Sequence, residues 1–175
     1  MTWPTLTIAG NDYDFPHLTP FVMAVTPKAK DAPTFQVLVT FGSHTFTKDW
    51  TGNDPLDHQI PDGSGFRCFC PLRYGCSKEL PRIIAYAAKG RAFFSEGRNM
   101  LLIEHLPGLT GPYAVFFNLE KAKEKGLDAV MFVVSAYEKL ALPDRLPAMT
   151  FATLVSTVVG GGIIRPPRDL RSIKK

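Results

Sequence analysis

Two segments, Tyr113–Leu119 and Ala129–Ala136, constrain this chain more than any other feature. Each is apolar at both odd and even positions, and the charged link 120–128, with a glycine at 126, separates them. Successive side chains of a strand point to opposite sides of a sheet, so a strand that is apolar at both parities is expected at a sheet's centre, covered on both faces. The link reads as a solvent-facing hairpin tip. Upstream, Arg91–Phe94 and Asn99–Leu106 extend the pattern to a four-stranded meander. A helix precedes it, because Leu80, Ile83, Ile84, Ala87 and Ala88 recur at helical spacing. Pro81 suits the first helical position and Gly90 the stop, which leaves any turn at 77–80 outside the regular helix. A second helix, Phe151–Val159, follows Thr150 as its cap and is halted by the three glycines 160–162.

In the N-terminal half, Phe35–Phe41 and His44–Trp50 are β-branched and aromatic arms on either side of Gly42-Ser43. That pattern predicts a hairpin with a two-residue turn, His44 facing Phe41, and Phe35, Val37, Val39 and Phe41 on one side. Thr5–Ile8 and Phe21–Thr26 read as short strands, 51–65 as a long loop and Phe66–Phe69 as a strand end. Pro16 and Pro20 exclude a regular helix or central strand between them. The expected fold is α+β: an antiparallel sheet of about six strands, one helix before and one after its main meander, plus an N-terminal β-hairpin. A chain of 175 residues suits one domain, here 1–164, followed by a basic tail, 165–175.

Charge and cysteine usage narrow the setting. Twenty Lys and Arg against sixteen Asp and Glu leave +4, an excess that permits a polyanionic partner without demanding one. The first ten residues carry neither a basic region nor an apolar run, and no apolar stretch reaches the ~18 residues of a membrane span. Three cysteines do not make a disulfide framework. A cytoplasmic protein without a membrane partner is expected. The sequence has no P-loop, dinucleotide, G-x-S-x-G or H-E-x-x-H signature, so no cofactor is expected either.

The residues able to carry chemistry fall into three sets. Arg73, Lys78 and Arg82, with Arg67 nearby, surround the start of the first helix, where free N–H groups and basic side chains could cradle phosphate. Arg91, Arg98 and His105 lie on or beside adjacent strands, while Ser135 and Tyr137, expected on the same side as Met131 and Val133, end an otherwise apolar strand. Cys68, Cys70 and Cys76 with His44 or His58 offer four N and S ligands, as a structural zinc site requires, although the C-x-C-x5-C spacing is not that of a standard knuckle. His17, between prolines, reads as structural.

Four segments resemble a group of small, uncharacterised proteobacterial proteins: Ile8–Leu18, Val39–Thr47, Arg73-Tyr74 with Ser77 and Leu80-Pro81, and Val134–Tyr137. That resemblance gives a family without an activity. A looser one is to the barnase/RelE-like ribonuclease toxins, in which helices precede an antiparallel meander and a late strand ends much as Ser135-Ala136-Tyr137 does. It implies RNA cleavage without metal, with His105 as acid or base, Arg91 and Arg98 on phosphate, and Ser135 and Tyr137 orienting it. Three functions are therefore open. One is a non-catalytic binding module, meeting a protein partner through its hairpin edge or the aromatic segment around Tyr13, Phe15 and Phe21. The second is an RNA-binding protein or ribonuclease, and the third a zinc-stabilised domain.

Overall fold

The computed structural model describes residues 2–95, 100–143 and 145–167. The chain opens with a small hairpin, β1 (Leu6–Ile8) and β2 (Asn11–Tyr13), turning at Ala9-Gly10, where both residues have positive φ. Next come β3 (Phe21–Val25), β4 (Phe35–His44), β5 (Thr47–Asp49), β6 (Gln59–Asp62) and β7 (Gly65–Phe69). Two short helices follow, α1 (Pro71–Ser77) and α2 (Leu80–Ala87), then β8 (Arg91–Phe94), β9 (Met100–Glu104), β10 (Tyr113–Lys121) and β11 (Ala129–Glu138). β12 (Ala148–Thr150) leads directly into α3 (Phe151–Val159), whose cap is the Thr150 hydroxyl accepting from the Thr153 N–H.

The fold is α+β, but its main sheet has seven strands in the order β12-β8-β9-β10-β11-β4-β3 and is mixed, because β4 runs parallel to β11. A separate three-stranded sheet, β5-β7-β6, stands beside it. The meander itself follows the expected strands, and the link before β11 is fastened to β4: the Gln36 N–H donates to the Asp128 carboxylate at 2.7 Å and the Asp128 N–H to the Gln36 carbonyl at 2.8 Å.

Four expectations change. Gly42-Ser43 is not a turn, since β4 continues through it to pair with β11, and the chain reverses two residues later, with the Phe46 N–H on the Ser43 carbonyl. Gly42 serves close approach instead. A Cβ there would stand 3.0 Å from the Phe132 ring and 3.1 Å from the Val134 carbonyl oxygen. The loop 51–65 contains β6, which has a single buried apolar residue, Ile60, and so leaves no alternating pattern to read. Two helices precede the meander rather than one; α1 opens on Pro71, and its exposed Leu72 and partly exposed Arg73 and Tyr74 hide the helical period.

The fourth concerns β11. Its pairing with β10 slips at Val134: Val133 pairs with Phe117 but Ser135 pairs with Phe116. A bulge of one residue reverses the parity of everything after it. Ser135 and Tyr137 therefore lie on the opposite side of the sheet from Met131 and Val133. The side bearing Val37, Val39, Phe41, Val115, Phe117, Met131 and Val133 is wholly buried in one core with Leu80, Ile84, Phe151, Leu154 and Val155 of the helices. The other side is not covered in the same way. Val22, Leu38 and Val130 share a register line on it, as do Thr40, Phe132 and Asn118. Val22 remains 50% exposed and Phe132 41%.

Candidate functional site

On this open face, where β4 and β11 lie side by side, Trp3, Thr40, Phe132 and Val134 wall a cleft of about 520 Å³. One corner is polar. His44 comes to it because β4 runs on past Gly42, and Asp62 comes from the end of β6. The Asp62 carboxylate accepts from His44 Nε2 at 3.1 Å and from the Ser43 hydroxyl at 3.0 Å. Burial alone would raise the Asp62 carboxyl. The hydrogen bonds from His44 and Ser43, with the charges of His44 and Arg67, outweigh that effect and hold it below the ordinary carboxylate range. With Nε2 on Asp62, His44 presents Nδ1 as its second hydrogen-bonding atom, so the pair can orient a polar ligand. Ser43 donates to the carboxylate and not to the imidazole, so the three do not form a nucleophilic relay.

Across the bulge the same face continues into a hollow of about 310 Å³ lined by Phe116, Asn118, Val134, Ser135 and Tyr137. Phe116 and Tyr137 stack with centroids 5.3 Å apart, Arg73 lies 4.7 Å over the Tyr137 ring, and Lys139 lies 5.8 Å over Phe116.

The structure does not assemble the predicted ribonuclease set. Ser135 and Tyr137 are together, but Tyr137 pairs with Ala114 and Ala114 with Ile103. Exposed His105 thus lies two strands and two residues from Tyr137, roughly 12 Å at ordinary strand spacings. Arg98 falls outside the described residues. The phosphate cradle is dispersed as well. Arg67 is paired with Asp49 at 2.7 Å and Arg82 with Glu79 at 2.8 Å. Lys78 lies over Tyr74, and exposed Arg91 donates to the Ala148 carbonyl at 3.4 Å. Arg73 turns inward, its Nη1 donating to the Thr47 carbonyl at 2.6 Å and the His44 carbonyl at 3.4 Å.

The zinc set is likewise separated. Cys68 is buried with its thiol on the Phe69 carbonyl, Cys70 and Cys76 border a different cavity, and His58 Nδ1 donates to Phe69. Among the described residues no group of three or more His, Cys, Asp or Glu side chains is placed to hold a metal. The aromatic N-terminal segment is packed rather than displayed: Phe15 is 3% exposed, and Tyr13 and Phe21 are half-buried against the core. His17 packs edge-on against the Tyr74 ring, with centroids 5.6 Å apart. The Ser77 hydroxyl donates to Tyr74, so His17 Nε2 donates to it at 2.8 Å.

Fold and site together define an α+β protein built on a mixed sheet, one face closed by its own helices and the other carrying an aromatic cleft with a His–Asp corner. The model of the YjaZ family matches residues 5–159, and the chain belongs to that family. No curated protein and no solved structure matches it. Among the described residues no helix is long and apolar enough to cross a membrane.

Asp62, Phe132 and Trp3 were the site residues missed from sequence. Phe132 had a signal, being apolar at the parity of β11 that the core does not use. Asp62 had none, since only the pairing of β6 and β5 with β7 brings it back to His44.

Proposed function

We propose that this protein is a binding module that holds a small, mostly apolar ligand in the cleft on the open sheet face. The observation that carries this reading is Phe132, which stays 41% exposed between Thr40 and Asn118 on the open sheet face, where it walls a cleft of about 520 Å³. Ligand pockets typically enclose about 300–1,000 Å³ of mainly apolar wall with a few fixed polar groups, and the His44–Asp62 corner supplies those. The test is a fragment screen by two-dimensional NMR using cyclic and aromatic compounds that carry one hydrogen-bond donor. Hits should shift the Trp3 indole and His44 imidazole signals and lose affinity in Phe132→Asp. Hits that cluster elsewhere, or that bind Phe132→Asp equally well, would refute the assignment.

A second reading, RNA binding, has one specific observation in its favour: the Phe116–Tyr137 stack with Lys139 and Arg73 over its rings. Aromatic side chains on a sheet face can stack single-stranded bases, and nearby cations favour the phosphates. Oligo(U) should then bind, weaken steeply with salt and be lost in Tyr137→Ala. Total RNA incubated with and without EDTA, beside His105→Ala, tests the cleavage form of the idea.

A further inference from the structure

A third cavity, of about 300 Å³, opens where α1 meets the ends of β10 and β11, and two of its lining residues carry unmet polar groups. Tyr113 is 0% exposed, and its hydroxyl is buried with no hydrogen-bond partner among the described residues. Such an orphan is rare because it carries the full desolvation cost of the group. Arg73 is half-buried, yet no carboxylate among the described residues pairs with it. Both its hydrogen bonds leave from Nη1 toward carbonyls, so Nε and Nη2 have no acceptor among the described residues. A guanidinium taken from water without a counter-charge is costly, and an anion relieves that cost.

The other charges at the cavity are already engaged. Lys48 binds Asp54 at 2.6 Å, and Glu138 Oε1 accepts from the Thr110 and Gly111 N–H groups, both at 2.6 Å. The rest of the wall is apolar or weakly polar, with Leu72 and Leu140 standing 57% and 80% exposed at its rim. A planar fork, one phenolic donor and a leucine-lined mouth suit a carboxylate at the end of a short hydrocarbon better than a compact tetrahedral anion. Burial, with the like charge of Arg67, holds the Arg73 pKa below its ordinary value against the opposing effects of Cys70, Tyr137 and Asp49, which agrees with a cation lacking its partner.

We propose that this cavity is a binding site for the carboxylate of a small organic acid with an apolar tail, held by Arg73 and the Tyr113 hydroxyl. It does not depend on what the open-face cleft holds. The probe is hexanoate, titrated into the intact protein by NMR and calorimetry, with hexanol, hexylamine and inorganic phosphate as comparisons. Hexanoate should bind saturably, shift the signals of α1 and of Tyr113, and raise the melting temperature, while hexanol and hexylamine bind far more weakly.

Tyr113→Phe removes only an oxygen that has no partner, so it should fold with an unchanged or higher melting temperature. It should bind hexanoate about tenfold or more weakly, the loss expected for one hydrogen bond to a charged group. Arg73→Lys should also weaken binding by removing the fork. The proposal is overturned if hexanoate does not bind, if hexanol binds as well, if phosphate binds more tightly than hexanoate, or if Tyr113→Phe keeps wild-type affinity. A large fall in melting temperature in Tyr113→Phe would also overturn it, by showing that the hydroxyl is already satisfied within the fold.

Discussion

Met131 and Phe132 are adjacent in the chain and similar in chemistry, yet Met131 is wholly buried in the core shared with α3 while Phe132, on the other side of the same strand, is 41% exposed. The contrast holds along the sheet, where Val37, Val39 and Val133 are sealed and Val22 and Phe132 are not. An apolar side chain thus records that a position is kept from water, without recording what excludes the water. On one face the chain's own helices do so. On the other, Phe132 is covered only in part, and the open area faces the cleft.

The largest test of this contrast is a pair of truncations. Phe117→Ala, on the sealed face against Phe151 at a centroid distance of 5.8 Å, should cost about 3–5 kcal/mol in denaturant unfolding. Phe132→Ala should cost less than about 1 kcal/mol while abolishing binding in the cleft. Equal losses in stability would mean that the open face is structural. Next in size is Gly42→Ala. Its methyl group would press on Phe132 and on the Val134 carbonyl, so a loss of about 1–2 kcal/mol is expected, with shifts in the signals of β11. Were Gly42 in an open turn, the change would be nearly neutral.

Thr150→Ala removes the cap of the helix that closes the sealed face and should cost about 1 kcal/mol by the same measurement. The smallest effect is a pH dependence. Burial, then the charge of Lys78, lowers the His17 pKa from its ordinary 6.5. Between the folded value and 6.5 the unfolded chain binds more protons, so stability is fully present above 6.5 and is lost as pH falls through the folded value. His17→Gln should flatten that slope in melting curves taken across the acid range, and an unchanged slope would show that His17 does not cause it.

Much of the fold was legible in the sequence because it rests on local chemistry. The strands Arg91–Phe94, Tyr113–Leu119 and Ala129–Glu138 and the capped helix Phe151–Val159 lie where period and cap placed them. Less was legible where the decision was remote. Gly42 carried the letters of a turn and the function of a close contact, and a strand nearly a hundred residues downstream separates the two. Ser135 and Tyr137 were recognisable as polar groups closing an apolar strand, but the bulge at Val134 reversed their side. The basic residues were visible, and their dispersal among separate partners was not.

The sequence by itself determined which segments are strands and helices and which positions are apolar, because backbone propensity and periodicity act over a few residues. Tertiary structure alone decided that β4 joins β11 in parallel, that Asp62 meets His44, and that Tyr113 and Arg73 share a cavity with unmet polar groups. Those outcomes depend on register and packing between distant segments, and no local pattern encodes them.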